Sequence, residues 1–498
     1  MKAHYQRYCY GGELCKAEGQ SIVECRIAAG EIGKIVDVGA RAVLLQATPE
    51  NGEIKYSGKL FLTVLYTDGD GKLCRTERGA EFFHRAEQGD ITPACLALGE
   101  LLVERVDARR EGASVVVACV VSGVFSVFSE RCMEYLTGGE GLIVDAQDVL
   151  VSKVYVAKAT VEETDEFETD YAQDIISHGE NAIVTDVRTD VGEVDVSGEI
   201  VLQFCMIRRD GSLGTYERIV PFKTQVLCDG AMPSASAVAT VAVQSAYLTA
   251  DTDEERGRSK IVVEFTLSVA VRVYEKEELS IGVDAFSTEC QVALKKQKDT
   301  TMYALNGENR TERIHGTPLL EGLESLEGKT PCAVMRPRAF VTLRQDAQGV
   351  QAEGVMEGQV IYQKEGGEYD SVKMELPFLL PISAPLESEI SCSVCGLSIR
   401  VRAGGGLEAE GTLKMRITPY ERMEFSYLCD VEEGEKRAAQ SAGISVYLTA
   451  RGDGLWETAK RLCLSPERLC TENPELNFPL KGEERLIVYR QNTEFSQK

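Results

Sequence analysis

One hairpin pattern occurs three times in this chain, and the repeat limits the folds open to it more than any other feature. With Gly198 as origin, Val194, Val196, Ile200, Leu202, Phe204 and Met206 alternate with Asp195, Ser197, Glu199 and Gln203. A period of two marks a half-buried strand. An Asp210-Gly211 turn, Leu213 and then Pro221-Phe222 follow, so the stretch reads as a long antiparallel hairpin. The same frame fits without gaps around Gly58 (Ile54, Tyr56, Leu60, Leu62, Val64, Tyr66) and Gly354 (Val350, Ala352, Met356, Val360, Tyr362). Turn glycines Gly71, Gly211 and Gly367 stand 13 residues after their origins, with Leu73, Leu213 and Tyr369 two further on. Phe82, Phe222 and Phe378 all fall 24 residues after them. A mid-strand glycine in every copy predicts a bulge or the close approach of another backbone.

At 498 residues the chain is too long for one core, since domains run to about 150 residues. A second strand pair follows each hairpin: Leu101–Ala108 with Ser114–Phe128, Val241–Thr249 with Lys260–Tyr274, and Cys392–Val401 with Leu407–Ile417. The stretch Val115–Val121 is apolar on both faces, as in a strand held between two layers. Val144-Asp-Ala and Val283-Asp-Ala, 139 residues apart, read as matching closing elements of a tandem duplication. Module boundaries are expected at 1–148, 149–294 and 295–431, with 441–492 as a final small domain. Glu162–Asp174, with seven acidic residues and no basic one, reads as a solvated connector. Lys295–Lys329 reads as a partly irregular one, and Glu432–Gln440 as a flexible tether.

A net charge of −25 argues against nucleic acid and anionic membrane as partners. The first ten residues lack the apolar core of a signal peptide, and no run reaches the roughly 20 apolar residues of a membrane span. An intracellular protein without membrane insertion is therefore expected. In a reducing compartment the 16 cysteines are expected to be small buried apolar residues rather than disulfides. The CxxC pair Cys392 and Cys395 lies in a strand, which points the thiols to opposite faces, so no metal site is expected. The four histidines, His4, His84, His178 and His315, are spread over separate regions, and no phosphate loop, HExxH or nucleophile elbow occurs. The reading is of a non-enzyme without a cofactor.

After Ile444 the pattern changes. Ile444–Leu448 alternates as a strand; Leu455, Ala459 and Leu462 make one face of a short helix. Ser465-Pro466 is an N-cap and first-turn proline for a second helix; Asn473-Pro474 ends it, and Leu486–Tyr489 closes as a strand. Gly452-Asp453-x-Leu455-Trp456-x-x-Ala459, Asn473-Pro474 and Leu480-x-Gly482 stand in the order found in LysM domains, which this unit resembles. It departs at Gly454, where that family usually has Thr, and at Lys481, where it usually has Pro. The expected fold class is mainly β: tandem antiparallel β-sandwich-like modules followed by a small βααβ LysM domain. The only tryptophan, Trp456, is expected in that unit's core, and Asp453 as a cap of its first helix.

With Gly30–Val38, the Val-Ser-Gly-Glu-Ile hairpin, Pro221-Phe222 and Val283–Thr288 ahead of this unit, the whole chain resembles the SPOCS-domain family of spore coat morphogenesis. The resemblance implies a sporulation scaffold in the mother-cell cytoplasm of Firmicutes, at the forespore surface. Its LysM would bind the spore coat morphogenetic ATPase, and its β modules other coat proteins. The alternative it implies is binding of peptidoglycan or N-acetylglucosamine polymers. Either ligand would meet the LysM loops at Gly452, Asp453, Gly454, Leu455, Asn473, Pro474 and Glu475.

Overall fold

The computed structural model describes residues 2–347, 349–402, 406–437 and 443–490. It is mainly β, and each third of the chain lays out its strands in the same order. The first has β1 (Ala3–Ala28), β2 (Lys34–Glu50), β3 (Glu53–Thr67), β4 (Leu73–Glu87), β5 (Leu96–Glu111) and β6 (Ser114–Gly139). The second has β7 (Leu142–Asp170), β8 (Ala172–Asp190), β9 (Glu193–Arg208), β10 (Leu213–Leu227), β11 (Ser236–Asp253) and β12 (Arg258–Ser287). In the third, β13 (Cys290–Ala304) and β14 (Glu308–Gly316) are followed by the short β15 (Leu319–Leu320). Then come β16 (Lys329–Asp346), β17 (Gly349–Lys364), β18 (Tyr369–Ile382), β19 (Ser388–Val401) and β20 (Leu407–Lys436). No helix among the described residues is long and apolar enough to cross a membrane.

Each third contains a three-stranded meander (β2-β3-β4, β8-β9-β10, β16-β17-β18) and a long antiparallel pair (β1 with β6, β7 with β12, β13 and β14 with β20). The strand before the last, β5, β11 or β19, pairs beside it. Meander and long pair face each other over an apolar core. In the first module Ile54, Leu60, Leu62 and Val64 of β3 meet Val115, Val117, Cys119 and Val121 of β6. The other two modules are filled in the same way. Fully buried Phe125, Phe204 and Phe265 each contribute about 2–3 kcal/mol by leaving water.

The repeated glycine has a direct explanation. In register, Gly58 pairs with Phe82, Gly198 with Phe222 and Gly354 with Phe378, and the ring folds back over the bare backbone. A Cβ would stand 2.6 Å from Phe82 at Gly58 and 2.6 Å from Phe378 at Gly354. At Gly198 it would also stand 2.5 Å from the Ile183 carbonyl oxygen. Bulges occur at two of the three glycines, on the neighbouring strand: β2 slips between Leu44 and Gln46, and β8 between Val184 and Asp186; at Gly354 the register is unbroken and it is the Phe340 carbonyl that comes close.

The modules close on one another at two junctions. Leu65, Cys205 and Ile361, seven residues after each origin, and Leu73 and Leu213 at the turns form one buried cluster. Val36 and Ile176 join it, with Tyr369 and Cys332 packed against it. Around it the modules hold each other in a circle. Arg41 of the first donates to the Val243 carbonyl of the second (2.9 Å), Asn181 of the second to Pro337 of the third (2.7 Å), and Arg338 of the third to Val103 of the first (3.5 Å). Arg336, at φ 50, reaches Asp37 of the first module (2.5 Å) and Ser177 of the second (3.4 Å). At the far ends of the long pairs, Tyr10 and Met133, Val151 and Leu279, and Phe425 and Tyr427 form a second three-way core.

Several connector readings are corrected. Glu162–Asp170 belongs to β7, whose Phe167 stacks on Tyr216 at 5.5 Å; Glu162, Glu166, Glu168 and Asp170 line the outer face, while Asp165, on the face of Phe167, accepts from Arg218 at 2.7 Å. Lys295–Ala304 and Glu308–Gly316 are strands paired with β20, while 317–318 and 321–328 are irregular as expected. Val144–Ala146 opens the second module and pairs with its sequence equivalent, Asp145 opposite Asp284. The expected cuts at 148/149 and 294/295 fall inside β7 and β13. Glu432–Lys436 continues β20, and Arg437 is held by the Ser287 and Cys290 carbonyls; the rest of the expected tether lies outside the described residues.

Cysteine chemistry also differs from expectation at one place. Cys9 and Cys132 face each other across β1 and β6 and form a disulfide, joining positions 123 residues apart whose register no local pattern reveals. Cys392 and Cys395 do point to opposite faces, Cys392 to the third module's core. Burial pushes both thiols up to about 11, away from the thiolate a metal requires.

Substituting Gly198 with Ala forces the Phe222 ring off its seat. We expect a loss of about 1–3 kcal/mol, as for other overpacked cores, read from urea unfolding; an unchanged midpoint shows that the ring moves aside freely.

Candidate functional site

The C-terminal unit has β21 (Gly443–Leu448), α1 (Leu455–Leu462), α2 (Pro466–Glu472) and β22 (Arg485–Arg490), with β21 and β22 antiparallel. Ser465 caps α2 by accepting from the Arg468 N–H at 3.1 Å, and Pro466 occupies its first turn. Two loops, 449–454 and 473–484, carry the residues singled out above except Leu455, which opens α1. They are bound to each other by backbone hydrogen bonds, Gly452 N–H to Leu480 O at 2.8 Å and Leu480 N–H to Asp453 O at 2.9 Å. Thr449 ties the far side, donating from its backbone to Glu484 O at 3.1 Å and accepting from the Glu484 N–H at 3.2 Å.

Within this frame the individual residues differ. Gly452 is exposed at φ +91, a conformation that favours glycine. Gly454, not Asp453, is the N-cap of α1. The Asp453 carboxylate instead accepts from the Ala450 N–H and from Arg461, both at 3.0 Å; these two donors hold its pKa below the usual range. Leu455 packs against the unit's core. Asn473 is buried and its amide is fully engaged: Nδ2 donates to Leu469 and Ile487 carbonyls, and Oδ1 accepts from the Ile487 N–H at 2.7 Å. It fastens α2 to β22. Pro474 and Glu475 are exposed.

Trp456 lies at the rim of the unit's core rather than in its centre. Its ring meets Phe286 of β12 edge-on at 5.1 Å, and its Nε1 donates to the Asp284 carboxylate at 2.8 Å. Lys460, one turn on, donates to both oxygens of Asp284 at 2.7 Å. Phe286, 1% exposed, and Ile143 of β7 complete the apolar cluster of Ala459, Leu462, Leu469 and Leu486. The unit is thus docked on the tip of the second module's long pair. Burial works against the charge of Asp284, but Lys460 and the indole N–H outweigh it, and its pKa is lowered. Its register partner Asp145 is raised, by burial and then by the negative charge of Asp284. Sequence reasoning missed this contact, although Val283–Thr288 had been quoted as a motif; nothing local tells a strand which surface will cover it.

No family model, curated protein or solved structure matches this chain.

Trp456 is the only tryptophan, so its emission reports docking directly. Because Asp284 has a lowered pKa in the docked state, its contribution is fully present above the ordinary Asp value of about 3.9 and is lost as pH falls through the lowered one. We expect Asp284→Lys to red-shift the emission at neutral pH, and the wild type to shift only below the ordinary Asp range. Emission unchanged in Asp284→Lys excludes the contact as the anchor.

Proposed function

We propose that this protein is a non-enzymatic adaptor of spore coat assembly, belonging with the SPOCS-domain proteins its sequence resembles. In this reading its C-terminal unit, a LysM domain, binds the coat morphogenetic ATPase through the paired loops 449–454 and 473–484. The β modules recruit other coat proteins at the forespore surface in the mother-cell cytoplasm.

The observation that favours a protein over a glycan is how the unit's polar and aromatic groups are used. Sugar recognition draws on aromatic faces and unengaged amide or carboxylate groups. Here the indole is turned onto Asp284 and Phe286, the Asn473 amide serves the backbone, and Asp453 is occupied by Ala450 and Arg461. What the loops present outward is a pair of tied backbone segments with Pro474 and Glu475 exposed beside Asn473. Such a surface suits shape and charge matching with a folded partner.

The full chain is offered, on separate sensor surfaces, the sporulation ATPase and chitin oligomers. Binding to the ATPase alone is expected, weakened about tenfold by Glu475→Arg with Tm unchanged, and deletion of 441–498 should abolish encirclement of the forespore. Retention of chitin oligomers with no ATPase binding replaces this reading with peptidoglycan binding; a truncated protein that still encircles the forespore removes the unit from the targeting step.

A further inference from the structure

The two-stranded sheet of the C-terminal unit has one closed edge and one open one. On β22 the backbone of Ile487 and Tyr489 is turned towards α2 and is satisfied there. Ile487 N–H donates to Asn473 Oδ1 at 2.7 Å, and its carbonyl accepts from Asn473 Nδ2 at 2.8 Å. Tyr489 N–H donates to Glu472 at 3.0 Å, and its carbonyl accepts from Arg468. Residues opposite each other in an antiparallel pair turn their backbone groups either both inward or both outward. Val446 and Ile444, opposite Ile487 and Tyr489, therefore point theirs away from β22, and Leu448, two residues on, does the same. Among the described residues β21 pairs with β22 alone, so the N–H and C=O groups of these residues stand in a row along a free edge.

Nothing on the strand guards that edge. Natural edges are blunted by Lys, Pro or a bulge, whereas β21 reads Gly-Ile-Ser-Val-Tyr-Leu in unbroken register. Ile444, Val446 and Leu448 are 69%, 58% and 75% exposed with the modules in place. The strand is moreover complementary to itself. About Val446 its outward side chains run large, small, large, and it carries no charge that would meet a like charge in a symmetric pairing. A second β21, antiparallel to the first with the twofold axis at Val446, sets Val446 against Val446 of the partner subunit and Ile444 against Leu448 of the partner subunit. Each facing pair exchanges two hydrogen bonds, so every open group on the edge is used. The outer edges of the four-stranded sheet so formed are the two β22 strands, already closed by Asn473, Glu472 and Arg468, and growth stops at two copies.

We propose that β21 pairs with β21 of a second copy of this chain, giving a twofold dimer joined through one continuous sheet. A two-stranded sheet is marginal by itself, and four strands with a shared apolar face are not. The dimer also carries two sets of the C-terminal loops, which raises the avidity of whatever they bind; the pairing itself does not depend on that ligand.

Sedimentation of the full chain is expected to show the average mass rising towards twice that of the chain between about 1 and 100 μM, while amide exchange of Ile444, Val446 and Leu448 slows over the same range. Val446→Lys places two like charges on the axis and should weaken association at least about tenfold. Val446→Glu should do the same, and an equimolar mixture of the two variants should associate again, because only a residue that meets its own copy is rescued in this way. Since Val446 is exposed, both variants are expected to keep the wild-type Trp456 emission. A chain that stays monomeric over this range, association insensitive to Val446→Lys, or variants that do not rescue each other overturns the proposal. Protection of the same amides in a monomer also overturns it, and assigns the edge to another part of the chain.

Discussion

The architecture depends on a head-to-tail contact that closes after three copies. The apolar residues seven and fifteen places after each hairpin glycine point to a common junction. Arg41, Asn181 and Arg338 each reach a carbonyl of the next module round the circle. A heterologous interface of this type forms a ring only if the rotation between copies closes. Here the three copies are in one chain, so closure carries no concentration dependence. Arg336 breaks the symmetry: it enters where the other modules have Gly39 and Gly179, and its guanidinium lies within 2.8 Å of where a Gly39 Cβ would be. A non-glycine residue at positive φ is costly, and the buried Asp37 carboxylate beside it offsets that cost.

The second junction gives the long strand pairs their role. Their distal arms extend past the module cores and pack on each other through Tyr10, Leu279 and Phe425. Tyr8 donates to Glu277 at 2.6 Å across two modules. At the tip of one arm, Phe286 would be left in water without the C-terminal unit, which uses it as part of its own core. A unit this small has little core of its own, and borrowing an aromatic from the modules holds it in place. The described end of β20 supports this placement, because Arg437 binds back to the same tip. The result is one connected frame in which the C-terminal unit is fixed against the arm of the second module.

The exposed Cys132 of the disulfide lies on the outer face of the first arm. An exposed pair is open to exchange with solution thiols, so its state follows the redox poise around the protein. The frame does not hang on it, since β1 and β6 pair along their whole lengths.

Much of this was legible in the amino acids alone. Alternation of apolar residues, turn glycines and a fixed spacing specified the three hairpins, because these are local consequences of a two-residue period and of which residues tolerate positive φ. The C-terminal βααβ order followed from helix-face spacing and from Ser465-Pro466 in the same way. The segments misread as connectors were strands whose periodicity is hidden: Glu162–Asp170 is acidic on its outer face and buries only Phe167 and Thr169. What the tertiary structure alone decided is which surfaces meet. That Asp145 lies opposite Asp284, that Cys9 meets Cys132, that Trp456 turns to Asp284 rather than inward, and that equivalent positions of three modules share one junction are all long-range pairings. They are set by the total burial and charge satisfaction of the closed frame, and no window of sequence contains that sum.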